Sequence, residues 1–340
     1  MTARSAQLSR IALTIGVVAV LPWIVPSFVV FDLIYVGAYA IAILGLIVLT
    51  GMNGQISLGH GAFLAVGAYI VAILAHDAGW PYWAAVPMAA LGCGILGLLL
   101  GLVALRLAGV YLALATFSLA VATPSILKHF KDLTGGYGGL SLNPVTPPDR
   151  IPLDAQHWLY YVTWAVVGIV FLLTAQLVRG KFGRALRGLR DNPTAAESFG
   201  VNPYYYKTFA FGWSAALAGV AGAFYAFATA YLSPDSFTVA LSITLLIGAV
   251  LGGILTFWGA LVGAVVVEFL PLLAQQISAG APGVVYGIAL ILVMLFVPDG
   301  IVGGCVRLYR RALRKTVPNL GPEPSIQPAA PVTAKSSSRD

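Results

Sequence analysis

Ten runs of mostly apolar residues follow one another between residues 11 and 304, each about as long as a helix needs to cross a bilayer. A membrane-spanning helix takes roughly 20 such residues at about 1.5 Å of rise each. The runs lie at 11–30, 33–50, 57–76, 82–105, 107–127, 158–178, 208–231, 238–254, 259–278 and 283–304. Asp32, Arg106 and the turn region 252–259 are all that divide the three most continuous stretches. No soluble core of this length hides so much apolar surface, whereas lipid covers outward faces and each helix satisfies its own backbone. Only 9% of the residues are charged, against about a quarter in an ordinary soluble domain. The chain is therefore read as a single all-α integral membrane domain.

The net charge of +7 is informative through its placement. Basic residues sit between apolar runs, as a topology signal does, and not on a polar face of the kind a nucleic-acid binder displays. With the N-terminus in the cytoplasm, ten spans put 16 of the 19 basic residues inside, and Lys128, Lys131 and Arg150 fall in one long outer loop. An odd number of spans would break this pattern. The expected organisation is a cytoplasmic N-terminus at 1–10 and a membrane domain at 11–304, followed by a tail at 305–340 that is first basic and then disordered. Within the membrane domain, 128–157 forms an external loop and 179–207 a cytoplasmic one. Two halves of five spans would have opposite orientation, the inverted-repeat arrangement of many transporters, although the halves share no convincing sequence similarity. The first run lacks a small-residue cleavage site and is read as an anchor. Cys93 and Cys305 stand far apart in apolar surroundings, form neither a disulfide framework nor a metal motif, and read as small packing residues.

The loop at 179–207 carries the most structure. Phe182, Leu186 and Leu189 share one helical face, while Arg184, Arg187 and Arg190 share another. After Asp191, Asn192 is a good N-cap and Pro193 suits the first helical position. Gly200 is a natural stop, so a compact helix over 193–199 is predicted, containing Thr194, Ala195, Ala196 and Phe199. Asn202-Pro203 repeats the cap signal. A solvated basic linker would fix topology equally well, but it would not need caps at both ends. A docking role suits the punctuation better.

A second feature is the run Gly51 to Gly61, where four glycines and the polar side chains of Asn53, Gln55, Ser57 and His60 interrupt two spans. Interrupted helices line substrate paths in transporters, and a tight turn with close packing is the plain alternative. His60 reads as a hydrogen-bonded packing residue ahead of a metal ligand or proton relay. Glu268 is the sole acidic residue deep in a predicted span and is a candidate for the path, or a buried hydrogen-bonded group between helices. Gly248, Gly252, Gly253, Gly259 and Gly263 read as packing positions. The chain has no phosphate-cradling loop, zinc-protease motif or nucleophile elbow, and no catalytic residue is assigned. Any ATP it depends on would be bound by another chain.

Taken in order, several blocks resemble the branched-chain amino acid ABC importer permeases, in particular the LivM-like half of the heteromeric pair. They are Gly54-Gln55-Ile56-Ser57-Leu58-Gly59-His60-Gly61-Ala62-Phe63 with Gly67-Ala68-Tyr69, Leu105 to Ala113, and Leu133-Thr134-Gly135-Gly136. The strongest begins at Gly183-Arg184-Ala185-Leu186-Arg187 and passes through Arg190-Asp191-Asn192, Ala195-Ala196 and Gly200. It continues into Ser214 to Gly219 and Ser233-Pro234, and Phe296 to Gly300 closes the series. The family's coupling-loop pattern E-A-A-x-x-x-G stands here as Thr194 to Gly200, with Thr194 in place of the leading glutamate. The resemblance implies a permease without its own ATPase site and a bacterial or archaeal cytoplasmic membrane. It also implies a second, LivH-like permease chain, two ABC ATPase subunits that carry ATP and magnesium, and an extracytoplasmic solute-binding protein. No nucleic acid partner is implied. The expected cargo is a branched-chain amino acid or a related small solute. Urea, amide and aromatic solutes stay open, as does a proton-driven carrier using Glu268 and His60. An intramembrane enzyme lacks any supporting constellation.

Overall fold

The computed structural model describes residues 16, 18–76, 79–107, 109–148, 152–275, 281–296 and 300–307. The expected cytoplasmic N-terminus at 1–10 and nearly all of the tail lie outside these residues. The chain divides into a unit ending at Gly304 and a tail beginning at Cys305, of which 305–307 are described, as helix. Cys305 is exposed and not packed as expected.

Residues 18–24 are helical, and Pro26, in extended conformation, ends that segment. Helix α1 (Ser27–Leu46) then runs on as a π-helical turn, Ile47–Met52. The first two expected spans thus meet at Pro26 and not at Asp32, which lies inside α1. A single charge interrupts a hydropathy pattern, but only proline removes a backbone donor and clashes with the preceding turn. An extended segment follows before α2 (His60–His76). Then come α3 (Tyr82–Ala104), entered through Pro81, and α4 (Val110–His129), entered through Gly109 at φ 56°. The segment expected to form the external loop contains a turn of helix at Lys131–Thr134 and strand β1 (Leu140–Ser141). Helix α5 (Ala155–Arg179) leads into α6 (Lys181–Asp191) and α7 (Pro193–Ser198). The long α8 (Pro203–Thr229) precedes β2 (Tyr231–Leu232), α9 (Val239–Gly252), α10 (Gly259–Gln275) and α11 (Ala281–Phe296). Strands β1 and β2 pair antiparallel, Leu140 with Leu232, an addition to the all-α expectation that ties the loop to the end of α8.

Among the described residues, six helical stretches are long and apolar enough to cross a membrane: Ser27–Met52, Tyr82–Ala104, Val110–His129, Ala155–Arg179, Pro203–Thr229 and Pro234–Gly252. His60–Ala75 and Gly259–Gln275 are shorter apolar helices.

Burial sorts these helices into a centre and a periphery. The most apolar windows of Ser27–Met52 and Pro203–Thr229 are 78% buried, against 22% for Tyr82–Ala104. Helix α3 shows why. Ala85, Ala89, Cys93, Gly97 and Gly101 form a buried stripe of small residues at helical spacing, packed on α8. Leu91, Ile95, Leu99 and Leu102 face outward. Between lipid-facing helices association comes from close packing and not from apolar burial, so small residues mark the contact. On α8's other side, Gly67 of α2 meets Gly219 so closely that a Cβ there would collide with backbone. The pairs Gly248/Gly263 and Gly252/Gly259 bring α9 and α10 together in the same way, as the sequence indicated.

The bundle has two distinguishable ends. At one, Arg190 meets Gly51, and Ile254 lies against Gly51. At the other, β1 pairs with β2, Lys128 pairs with Asp235 at 2.6 Å, and Gln156 donates to the Ser27 carbonyl.

Candidate functional site

The first component is the α6–α7 hairpin. Leu186 and Leu189 are fully buried, and Phe182 packs edge-on against Phe209 and at a tilt against Tyr206 of α8. Gly183 and Ala185 are buried on the same helix, so α6 is fixed to the bundle by its apolar face. Arg184 and Arg187 point out, and Arg184 reaches only the carbonyl of Arg179 at 3.5 Å. Arg190 is exposed as well, but it does not point out with them. Its stem and guanidinium turn back onto residues 51–54, because the C-terminus of α6 lies directly over the end of α1.

Asn192 caps α7 by accepting from the Ala195 N–H at 3.0 Å. At the far end, Gly200 at φ 81° takes the left-handed conformation. Its N–H donates to the Glu197 carbonyl at 2.9 Å, and the Val201 N–H donates to Ala196 at 3.1 Å. This doubly bonded Schellman stop satisfies carbonyls that the helix end would otherwise leave open. Thr194 is exposed, and its carbonyl accepts from the Ser198 hydroxyl. Ala195 is half-buried, while Ala196 is only 7% exposed and faces Gly188 of α6. The small residue at 196 therefore serves packing inside the hairpin and is not open surface. Phe199 lies at the opposite extreme, 88% exposed just beyond the helix.

The second component is the break between α1 and α2. Asn53 donates to Gln55 Oε1 at 2.6 Å, and Asn53 Oδ1 is buried without a partner. Ser57 is buried and accepts from the Gly59 N–H at 3.3 Å. Leu58 N–H donates to Thr116 of α4, and Gly61 N–H donates to Ser242 of α9. His60 Nε2 and the Ser214 hydroxyl lie 2.6 Å apart, and Ser214 also donates to the Gly45 carbonyl at 2.6 Å. A carbonyl only accepts and a hydroxyl has one hydrogen, so His60 donates from Nε2 to the Ser214 oxygen. Backbone groups released by the interrupted helix are thus taken up by hydroxyls from two other helices, α4 and α9, as membrane interiors require. Ser214, Ser242 and Thr116 were not singled out as site residues. The available signal was a hydroxyl inside a small-residue or apolar run, as in Trp213-Ser214-Ala215.

A cavity of about 760 Å³ joins the two components, lined by Asn53, Gln55, Arg190, Glu197, Asn202 and Lys207 among others.

Glu268 does not belong to this group. It is half-buried on α10, within electrostatic reach of Asp32, Tyr35 and Tyr225. The Tyr35 and Tyr225 rings are 5.5 Å apart, and the Tyr35 hydroxyl and Thr229 Oγ1 lie 3.2 Å apart, toward the β1–β2 end. Among the described residues no group of three or more His, Cys, Asp or Glu could hold a metal ion.

Residues 28–297 match the family model described as the permease component of the branched-chain amino acid transport system. The high-affinity branched-chain amino acid transport system permease protein LivM of Salmonella typhimurium is 32% identical over 286 residues, 77% of this chain and 67% of the relative. LivM of Escherichia coli is 31% identical with the same coverage. A probable branched-chain amino acid transport permease protein LivH of Methanocaldococcus jannaschii is 30% identical over 163 residues, 46% of this chain and 51% of that one. No solved structure matches the chain. The chain is a multi-pass membrane permease subunit, not an enzyme, and it belongs to the branched-chain amino acid transport permease family.

Proposed function

We propose that the chain is one of two permease subunits of an ATP-driven importer in a bacterial or archaeal cytoplasmic membrane. It carries branched-chain amino acids or a close chemical relative. The observation that carries this reading is the α6–α7 hairpin: a short helix closed at both ends, anchored by a buried face, with Phe199 presented outward. Such a knob transmits force, which a flexible linker does not, and the natural receiver is an ATPase subunit. Ten spans with both termini inside put the hairpin on the cytoplasmic side. Two ATPases would bind ATP and magnesium, and an extracytoplasmic protein would deliver solute at the β1–β2 end.

The polar break at 53–60 supports a path through the middle of the bundle. Glu268 with Asp32, Tyr35 and Tyr225 marks a half-buried polar face nearer the delivery end. Carboxylates at membrane depth face protein or water and not lipid, so this face suits contact with the second, LivH-like permease and the passage between the two.

The test is reconstitution with both permeases, both ATPases and the binding protein in proteoliposomes. Uptake is expected to require ATP inside and loaded binding protein outside, and to persist without a pH gradient. Uptake driven by a proton gradient alone, and abolished by Glu268→Gln, would replace this reading with a secondary carrier.

A further inference from the structure

One polar bridge connects the hairpin to the broken helix. Arg190 Nη1 donates to the Gly51 carbonyl at 2.6 Å. The same guanidinium holds Asp191 Oδ1 through Nε at 2.9 Å and Nη2 at 2.8 Å. Gly51 sits in the final π turn of the α1 stretch, where carbonyls run out of intrahelical partners. The Leu49 and Thr50 carbonyls are taken by the N–H groups of Gln55 and Gly54. The next carbonyl, that of Gly51, goes to Arg190. The arginine stem lies on Gly54, whose φ is +73° and where a Cβ would stand 2.9 Å from Arg190 Cγ. Asp191, in turn, directly precedes Asn192, the cap of α7. An unbroken series of short contacts thus runs from the knob through Asp191 and Arg190 to the point where the helix ends.

We propose that Arg190 is a positioning residue that transmits displacement of α7 to the end of the α1 stretch, and through it to the extended segment at 53–59. The proposal rests on the reading of α7 as the ATPase-docking element, and it deepens that reading. It reverses the role that charge alone gives Arg190, because a residue engaged with Gly51 and Asp191 has few donors left for a partner. Two features make the link stiff. The three bonds are charge-assisted, and a planar fork holds two separated acceptors at a fixed spacing, which the compact, rotating ammonium of a lysine does not. Gly54 supplies the matching surface, since any side chain there would lift the arginine stem away.

The experiment uses the complete transporter in proteoliposomes. Arg190→Met keeps much of the stem and removes every donor, Arg190→Lys keeps the charge, and Gly54→Ala attacks the contact from the other side. A reporter thiol, Ile56→Cys in a Cys93→Ala, Cys305→Ser background, reads the segment next to the break, where Ile56 is exposed. In the parent, a non-hydrolysable ATP analogue is expected to change the labelling rate at position 56. In Arg190→Met and Gly54→Ala that response is expected to vanish, while the complex is recovered on a tagged ATPase as in the parent. Uptake per ATP hydrolysed should fall roughly tenfold in Arg190→Met, the scale of one lost charge-assisted bond, and Arg190→Lys should fall between. Parent-like labelling response and uptake per ATP in both Arg190→Met and Gly54→Ala would overturn the proposal. So would loss of complex recovery in Arg190→Met, because it would make Arg190 a docking contact. Phe199→Asp, which leaves this bridge untouched, reports on docking alone. An intact, coupled complex in that variant defeats the docking reading and not the bridge.

Discussion

At the scale of single residues, the molecule places its few polar groups where an interrupted backbone needs them. Ser214 illustrates this, since one hydroxyl serves both the Gly45 carbonyl and the His60 ring. Ser214→Ala leaves the buried His60 Nε2 donor without its partner. It is expected to destabilise the protein by about 1–3 kcal/mol, the cost of orphaned buried groups, seen as a lower midpoint of thermal unfolding in detergent. An unchanged midpoint would mean that water or another group replaces the hydroxyl. That His60 would be hydrogen-bonded was legible from its place at the start of a small-residue helix. Its partner was not legible, because residues 154 apart in sequence share no local pattern. Phe199 is the opposite case. A large apolar side chain 88% exposed beyond a closed helix stop has no packing function among the described residues. Phe199→Asp is expected to reduce recovery of the complex on a tagged ATPase roughly tenfold or more, the range of an interface anchor, with the thermal midpoint of the isolated chain unchanged.

At the scale of elements, local rules carried α7 and failed at its surroundings. Asn192-Pro193 and Gly200 specify both ends of that helix in the sequence, and the structure extends it over Pro193–Ser198 with the expected cap. What periodicity does not reveal is which neighbour covers a face. Arg190 shares a helical face with Arg184 and Arg187, yet it lies over the end of α1, and Ala196 turns to Gly188. The positive φ of Gly200 carries a clear expectation, since a β-branched residue there costs about 1–2 kcal/mol of left-handed strain. Gly200→Val should loosen the Schellman stop and speed amide exchange at 196–201, with membrane insertion unchanged. Exchange at the parent rate would show that the stop tolerates other conformations.

At the scale of the whole molecule, the apolar runs and the basic asymmetry give a helical membrane chain its approximate segments, and composition alone goes no further. Helices α1 and α3 are about equally apolar, yet one is enclosed and the other lines the periphery. Hydropathy measures what a segment tolerates, whereas its place is set by small residues that meet small residues on a distant helix. The orientation is testable in the same frame. Single cysteines at Ser5, Ser141 and Ser337, in a background lacking Cys93 and Cys305, are expected to react with an impermeant thiol reagent in intact cells only at 141. Ser141 lies exposed on β1, and labelling at 5 or 337 would break the ten-span, both-termini-inside arrangement. The enclosure of α1 also bears on how the protein is made. Its bond to Ser214 joins residues 169 positions apart, so at roughly 5–20 residues per second α1 waits on the order of ten to thirty seconds for the helix that encloses it. During that interval α1 packs only on helices already made, such as α5 where Gly37 meets Thr163, and a nascent chain halted before α8 leaves the Gly45 side of α1 without its covering helix.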